Sequence, residues 1–119
     1  MTAPPDDTPA PTRTTRNDGL PHIIVSGLDN LGRRTIEELR LGDEPVVGIA
    51  ATADEGEGLV REDVDVVIGD HRRERVLREA GVLEASSLVL TRDDDLGNLH
   101  AALLARELNP ALRDRKSVV

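Results

Sequence analysis

The segment Gly27-Leu28-Asp29-Asn30-Leu31-Gly32 has the residue types and spacing of a phosphate-binding loop. In loops of the pattern G-x-G-x-x-G, the first glycine permits a tight turn and the second lets the backbone approach a pyrophosphate. The third allows a helix to pack closely on a strand. The first and third glycines are present here, and Asp29 stands at the second position. The segment is interpreted as a nucleotide-binding loop, with a purely structural glycine turn as the alternative.

The aspartate inside this loop admits two interpretations. The carboxylate of Asp29 could repel a phosphate, or it could turn away and cap the N-terminus of the following helix, as aspartate often does. Arg33 or Arg34 could offset its charge, although both are equally typical of a solvated helix surface. The sequence leaves both interpretations open.

The ribose-binding position of the pattern is also altered. A dinucleotide site usually carries Asp or Glu at the end of the second strand, about 20 residues beyond the loop. That position falls near Ala50, and the nearest carboxylates are those of Asp54 and Glu55. They could reach a ribose, but a charged loop that faces solvent is the favoured interpretation.

Further polar residues follow the later apolar runs, at the edge where open α/β sheets bind ligands. Asp70 is predicted either to cap the next helix or to face the ligand, and one residue of the acidic run 93–95 is predicted to be a helix cap. Thr91 ends the fourth apolar run. Asn98 is predicted to face the crevice or to bond to a neighbouring loop, and the second interpretation is favoured.

No residue pattern in the chain indicates a catalytic or metal centre. His22, His71 and His100 lie far apart without a carboxylate pattern, so neither a zinc site nor a catalytic triad is expected. The chain has no cysteine, which excludes disulfides, thiolate metal sites and cysteine nucleophiles. No general acid or base is recognisable, and the chain is not expected to be an enzyme.

Charge and composition exclude further classes of function. The formal net charge is -8, and Phe, Tyr and Trp are all absent. Nucleic-acid binding depends on cationic side chains and aromatic stacking platforms, so nucleic acid is not an expected partner. No apolar run approaches the roughly 18 to 20 residues that cross a bilayer, so no direct membrane insertion is expected. A cytoplasmic location follows by default.

The residues above require a fold that brings strand ends together. From His22 onward, short β-branched runs alternate with amphipathic stretches, which predicts an α/β fold with a Rossmann-like parallel sheet and helices on both faces. Its last strand is predicted to be very short or missing. Three segments are expected: a disordered Pro-rich tail over 1–20, one domain over 21–113 and a short C-terminal tail over 114–119. The predicted elements are strands over 22–26, 46–50, 64–68 and 88–90, helices over 31–41, 72–80 and 96–108, and a poor helix over 52–61.

Four motifs together carry a resemblance to a known family. They are the loop 27–32, Gly69-Asp70 followed by residues 76–82, Thr91-Arg92-Asp93-Asp94, and Asn98 leading into residues 105–110. With these motifs the chain resembles, over residues 21–113, the TrkA-N domain, also called the RCK N-terminal domain (regulator of potassium conductance).

The resemblance implies a regulatory role without catalysis. It implies a cytoplasmic Rossmann unit that binds NAD(H), or alternatively ATP or ADP, and controls a membrane potassium channel or transporter subunit. It also implies a homo-oligomer that lies peripheral to the inner membrane through its partner. The implied ligand contacts are Gly27, Leu28, Asp29, Asn30, Leu31 and Gly32 at the phosphates, Asp70 near the adenosine, and Thr91 and Asp93 at the far rim.

Two other readings of the chain stay open. A fragment of an NAD(P)-dependent oxidoreductase or epimerase would need a substrate domain and a proton donor beside the nicotinamide, which these 119 residues do not supply. A degenerate Rossmann scaffold would bind no nucleotide and serve only to assemble with another protein. The departures at Asp29 and Ala50 suit that scaffold.

Overall fold

The computed structural model describes residues 21–116 of the chain. Strands and helices alternate throughout, as the sequence predicts. The strands are β1 (Ile23–Ser26), β2 (Val46–Ala50), β3 (Asp65–Ile68), β4 (Ser87–Leu90) and β5 (Arg113–Lys116), and the helices are α1 (Asn30–Leu41), α2 (Ala53–Arg61), α3 (Glu74–Glu79) and α4 (Asp95–Leu108).

All five strands pair in parallel in one sheet, in the order β3-β2-β1-β4-β5. The chain builds outward from β1 to β3 on one side and then returns to place β4 on the other side of β1. Ser26, the last residue of β1, is in register with Ile49 of β2 and with Leu90 of β4. The carboxyl ends of these three central strands therefore meet at one edge of the sheet.

The core consists of two apolar layers, one on each face of the sheet. Ile24 of β1 packs in one layer and its neighbour Val25 packs in the other, because successive residues of a strand point to opposite faces. The first layer contains Val76 and Leu77 of α3 and Ala101 of α4, whereas the second contains Ile36 of α1 and Leu59 of α2. The predicted α/β sheet with helices on both faces is confirmed.

The segment after β2 corrects the prediction of a poor helix over 52–61. Residues Ala53–Arg61 form a regular helix, and the hydroxyl of Thr52 caps it by accepting the N–H of Glu55. Gly56 is buried against the sheet, where a Cβ would come 2.9 Å from Cγ1 of Val66. This glycine lets the helix approach β3 closely, so its low helix propensity is outweighed by packing.

The last strand, which the sequence left as short or missing, is present and has four residues. β5 pairs with β4 from Ser87 opposite Arg113 to Leu90 opposite Lys116. The sheet therefore continues past residue 113, into the segment that was predicted as a tail over 114–119. β5 contains no apolar run that would predict a strand, because an edge strand tolerates charged residues. The tail predicted over 1–20 lies outside the described residues.

Within residues 21–116, no helix is long and apolar enough to span a membrane.

Candidate functional site

The candidate site lies at the carboxyl edge of the sheet, where β1 passes into α1. β2 lies on one side of β1 and β4 on the other, so the strand order reverses at this point. In open α/β sheets such a switch point opens a crevice between the loops that follow the strands, and ligands bind there. The loop 27–32 lies at this switch point, and the loop after β4 lies beside it.

The two glycines of the loop are required by its geometry. Gly27 has a φ of +106°, a conformation that residues with a side chain rarely adopt. A Cβ at Gly32 would overlap the backbone carbonyl group of Gly27, so α1 packs on the loop as closely as glycine allows. These positions match the roles that the pattern assigns to its first and third glycines.

Thr91 holds the loop in this shape from the neighbouring strand. Its buried hydroxyl lies 3.1 Å from the carbonyl oxygen of Ser26 and 2.9 Å from that of Gly27, and its single O–H is shared between the two acceptors. A Cβ on Gly27 would collide with the same hydroxyl. Thr91 thus stabilises the backbone conformation of the loop from a buried position at the end of the neighbouring strand.

Asp29 caps α1, which is one of the two roles considered for it. Its Oδ1 accepts the N–H of Gly32 at 3.1 Å. The side chain of Leu28 points away from the crevice into the core and packs beside Gly48, whereas Asn30 is exposed. The N–H groups of Asn30 and Leu31, in the first turn of α1, have no intrahelical acceptor.

Glu55 occupies the crevice and does not lie in a solvent-facing loop, which corrects the favoured interpretation of the sequence. From α2, its Oε2 accepts the N–H of Leu28 at 2.9 Å, and its Oε1 accepts the N–H of Ala51 at 2.6 Å. Oε1 also lies 2.7 Å from the Arg92 guanidinium, and the two side chains of this ion pair are only 20% and 25% exposed. Ala50, the expected ribose position, is fully buried.

The surroundings of Glu55 stabilise its ionised form. Burial raises the pKa of Glu55, but hydrogen bonds from the backbone of Leu28 and Ala51 and from Arg92 lower it by more. Its pKa therefore lies below the ordinary value. Glu55 was considered from the sequence as a ribose ligand and was not favoured. Arg92 was not considered as a ligand residue, although its position directly after Thr91 at the end of a strand was a usable signal.

The acidic residues farther along the edge have local partners. Asp70 accepts the N–H of Arg72 at 2.9 Å and forms an ion pair with its side chain, which holds the pKa of Asp70 well below its usual range. It caps a turn and not a helix, since α3 begins at Glu74. Asp94 accepts the N–H of Gly97 at 3.1 Å, which confirms that one residue of the run 93–95 caps α4. Asp93 is exposed.

Asn98 anchors the loop between β4 and α4, as predicted. Its Nδ2 donates to the backbone carbonyl of Arg92 at 2.9 Å, and its side chain is buried. This bond positions the residue whose side chain reaches Glu55. Within the described part of the chain, the Oδ1 of Asn98 has no hydrogen-bond partner.

The histidines serve separate roles. His71 lies buried beside β1, with its Nδ1 2.6 Å from the hydroxyl of Ser26. Burial lowers the pKa of His71, and the charge of Arg92 lowers it further, so its neutral form is favoured. The ring of His22 bonds to the carbonyl of Ala80, and His100 is exposed on α4. No group of three potential ligands that could hold a metal ion is found among residues 21–116.

The arrangement suits a phosphate better than it suits a ribose. Backbone N–H groups at the start of α1 and the positive end of its dipole attract an anion, and the glycines allow close approach. Ala50, at the usual ribose position, carries no carboxylate, and the carboxylate of Glu55 beside it is already held by Leu28, Ala51 and Arg92. The residues present therefore fit a nucleotide through its phosphates.

Comparison with known proteins places the chain in a family. The model of the TrkA-N domain matches residues 23–119. A probable potassium channel protein 2 of Methanocaldococcus jannaschii is 30% identical over 96 residues, which are 75% of this chain and 27% of that protein. The chain spans 15% to 27% of the length of the curated relatives it matches.

Solved structures share the fold at lower identity. The TrkA-N domain of the inner membrane protein ybaL from Escherichia coli aligns with a TM-score of 0.77 at 24% identity, over 85% of this chain and 76% of that one. The GsuK channel bound to NAD aligns with a TM-score of 0.75 at 24% identity, over 93% of this chain and 20% of that one. From the family match, the chain belongs to the TrkA-N domain family.

Proposed function

We propose that this chain is a nucleotide-sensing regulatory domain of a potassium channel or transporter, and that it acts in the cytoplasm without catalysis. The observation that carries the proposal is the loop 27–32 at the switch point of the sheet, in a backbone shape that demands glycine at Gly27 and Gly32. The ligand is NAD(H), or alternatively ATP or ADP.

Each proposed contact follows from the position of its residue. The phosphates lie at the start of α1, where the N–H groups of Asn30 and Leu31 point out of the helix. Asp70 lies at the end of β3, on the side proposed for the adenosine, and Asp93 forms the opposite rim. Thr91 contributes by holding the loop. The full proposed set is Gly27, Leu28, Asp29, Asn30, Leu31, Gly32, Asp70, Thr91 and Asp93.

Relatives support the link to potassium and to nucleotides. One relative is a probable potassium channel, and GsuK, which shares the fold, is a channel that has been solved with NAD and with ADP. A ligand that binds one arrangement of the crevice loops more tightly increases the population of that arrangement. If the regulated protein responds to the same arrangement, ligand binding changes its activity.

The outer face of α4 supports a homo-oligomer. Leu96, Leu99 and Leu103 follow helical spacing and are 79%, 55% and 60% exposed. An apolar helix stripe of this kind is typical of a protein–protein interface. We assign it to a second copy of this chain, because α4 is the helix that flanks the candidate crevice on the side of β4 and would transmit its state to a neighbour.

The decisive experiment is calorimetric titration of the purified chain with NAD, NADH, ATP and ADP. One ligand is expected to give a saturable heat with one-to-one stoichiometry. Asn30→Asp places a negative charge beside the proposed phosphate and should weaken that ligand about tenfold or more. Arg40→Gln changes the net charge equally at the far end of α1 and should leave the affinity unchanged.

A degenerate scaffold is the second candidate, and one observation favours it. The carboxylate of Glu55 already takes the N–H of Leu28, a donor at the start of the loop. No heat with any of the four nucleotides, from a sample that circular dichroism shows to be folded, would sink the sensing proposal. That result would support the hypothesis of a degenerate scaffold that binds no nucleotide.

A further inference from the structure

Three hydrogen-bond donors from separate parts of the chain converge on the carboxylate of Glu55. They are the N–H groups of Leu28 and Ala51 and the guanidinium of Arg92, at 2.9, 2.6 and 2.7 Å. Backbone N–H groups and a guanidinium are also the groups with which proteins bind phosphate. The arrangement is therefore an anion site whose anion belongs to the same chain.

This contact crosses the crevice. Glu55 extends from α2, and Arg92 extends from the loop between β4 and α4, so their ion pair spans the end of β1. The stem of Arg92 lies directly against the glycine loop, where a Cβ on Gly27 would come 3.0 Å from its Cγ. The pair thus covers the part of the loop that a phosphate would approach.

Glu55 and a phosphate cannot use these donors together. Each Leu28 and Ala51 N–H makes one hydrogen bond, and both currently go to Glu55. Two anions placed side by side would repel one another in a half-buried site, where charges are screened less than in bulk water. A phosphate could reach Leu28 and Arg92 only after Glu55 had withdrawn.

We infer that Glu55 competes with the nucleotide phosphate for Leu28 N–H and Arg92, and that Arg92 becomes a phosphate-binding residue when Glu55 is displaced. This inference rests on the proposed nucleotide binding and adds two residues outside the proposed ligand set. It also gives a route by which binding changes the rest of the domain, because displacement of Glu55 breaks the ion pair between α2 and the loop that leads into α4.

The test combines affinity with stability. ADP is titrated calorimetrically into the wild-type chain, Glu55→Ala, Glu55→Gln and the double variant Glu55→Ala/Arg92→Gln, and each melting temperature is measured by circular dichroism. Glu57→Ala is the matched control, since Glu57 is exposed on the same helix and pairs only with Arg61 among the described residues. Glu55→Gln keeps the side-chain volume if the alanine variant does not fold.

Competition predicts opposite signs in the two measurements. Glu55→Ala should bind ADP about tenfold more tightly and melt at a lower temperature, because it loses hydrogen bonds but frees the donors. The double variant should lose that gain, and Glu57→Ala should match the wild type. If Glu55 only stabilises the fold and does not compete with the ligand, Glu55→Ala should bind ADP as tightly as the wild type or less tightly.

The outcomes separate this inference from the proposed function. If the wild type binds ADP and the Glu55 variants bind it equally or less tightly, the inference is overturned and nucleotide sensing stands. If only the Glu55 variants bind ADP, the inference is supported and sensing of ADP by the natural chain is overturned. If no variant binds ADP, the inference and the sensing of ADP are both overturned.

Discussion

Helices α1 and α4 begin with the same local structure in different surroundings. Each starts with an aspartate cap followed three residues later by glycine, and in each the carboxylate accepts the glycine N–H at 3.1 Å, Asp29 from Gly32 and Asp94 from Gly97. A Cβ on Gly32 would meet the backbone carbonyl of Gly27, whereas the atoms nearest to a Cβ on Gly97 belong to the side chain of Asp94. One sequence pattern thus serves two purposes, since only the first glycine holds a helix against a loop.

The largest expected effect tests this difference between the two glycines. Gly32→Ala should lower the free energy of unfolding by at least about 3 kcal/mol, because the overlapping backbone cannot move aside as a side chain can. Gly97→Ala should change it by less than about 1 kcal/mol, since the weakened cap is offset by the higher helix propensity of alanine. Urea unfolding followed by far-ultraviolet circular dichroism measures both, as the chain lacks Trp and Tyr.

Equal losses in the two variants would contradict the comparison. They would mean that both glycines matter only for their caps, and that α1 can shift away from the glycine loop at little cost.

The outer faces of the two helices differ as much as their inner ones, and this difference gives the second prediction. α1 exposes Arg34, Glu37 and Glu38, whereas α4 exposes Leu99 and its neighbouring leucines. Leu99→Glu should weaken self-association at least about tenfold, because a charge would be buried in an apolar contact. Sedimentation equilibrium of the wild type and the variant measures the dissociation constants.

Glu37→Gln on α1 is the matched surface control and should leave the dissociation constant unchanged. A wild-type chain that stays monomeric at every accessible concentration would exclude the face of α4 as an interface between copies.

The smallest expected effect concerns the contact that links the starts of the two helices. Glu55 joins Leu28, just before α1, to Arg92, just before α4, and its pKa lies below the ordinary 4.5. A carboxylate with a lowered folded pKa stabilises the fold fully above its unfolded pKa and loses this contribution as pH falls through the folded value. The melting temperatures of wild type and Glu55→Gln should therefore differ at pH 6 and converge toward pH 3.

Glu57→Gln, which removes an exposed carboxylate from the same helix, serves as the control for this pH series. A gap between wild type and Glu55→Gln that stays constant down to pH 3 would show that the carboxylate is not held by its three donors.

Much of the fold could be predicted from the sequence because local patterns decide it. The apolar run Val46–Ala50 became β2 with unchanged bounds, and Gly42 ends α1 as predicted. The motifs of the TrkA-N domain located the loop at the first turn between strand and helix. These local patterns agree with the structure because a buried central strand must be apolar and a helix ends where its apolar periodicity and its helix-forming residues end.

The elements that were wrong or left open depend on distant neighbours. Gly56 was read as weakening α2, but it packs against β3, which is contributed by a later part of the chain. β5 carries charged residues and is recognisable only through its pairing with β4. Glu55 was assigned to solvent, because nothing within a few residues of it reveals that Leu28 and Arg92 converge there.

The sequence by itself determined the order of strands and helices from β1 to α4, the glycine loop and the family, since these follow from short-range periodicity and motif spacing. Only the tertiary structure decided that Gly32 packs against backbone whereas Gly97 packs against a side chain, and that the carboxylate of Glu55 accepts the N–H of Leu28 in the loop. The physical reason is that steric overlap and hydrogen bonding act over a few ångströms in space. Leu28 lies 27 positions before Glu55 in the chain, and Arg92 lies 37 positions after it. The three residues meet only once the sheet has formed.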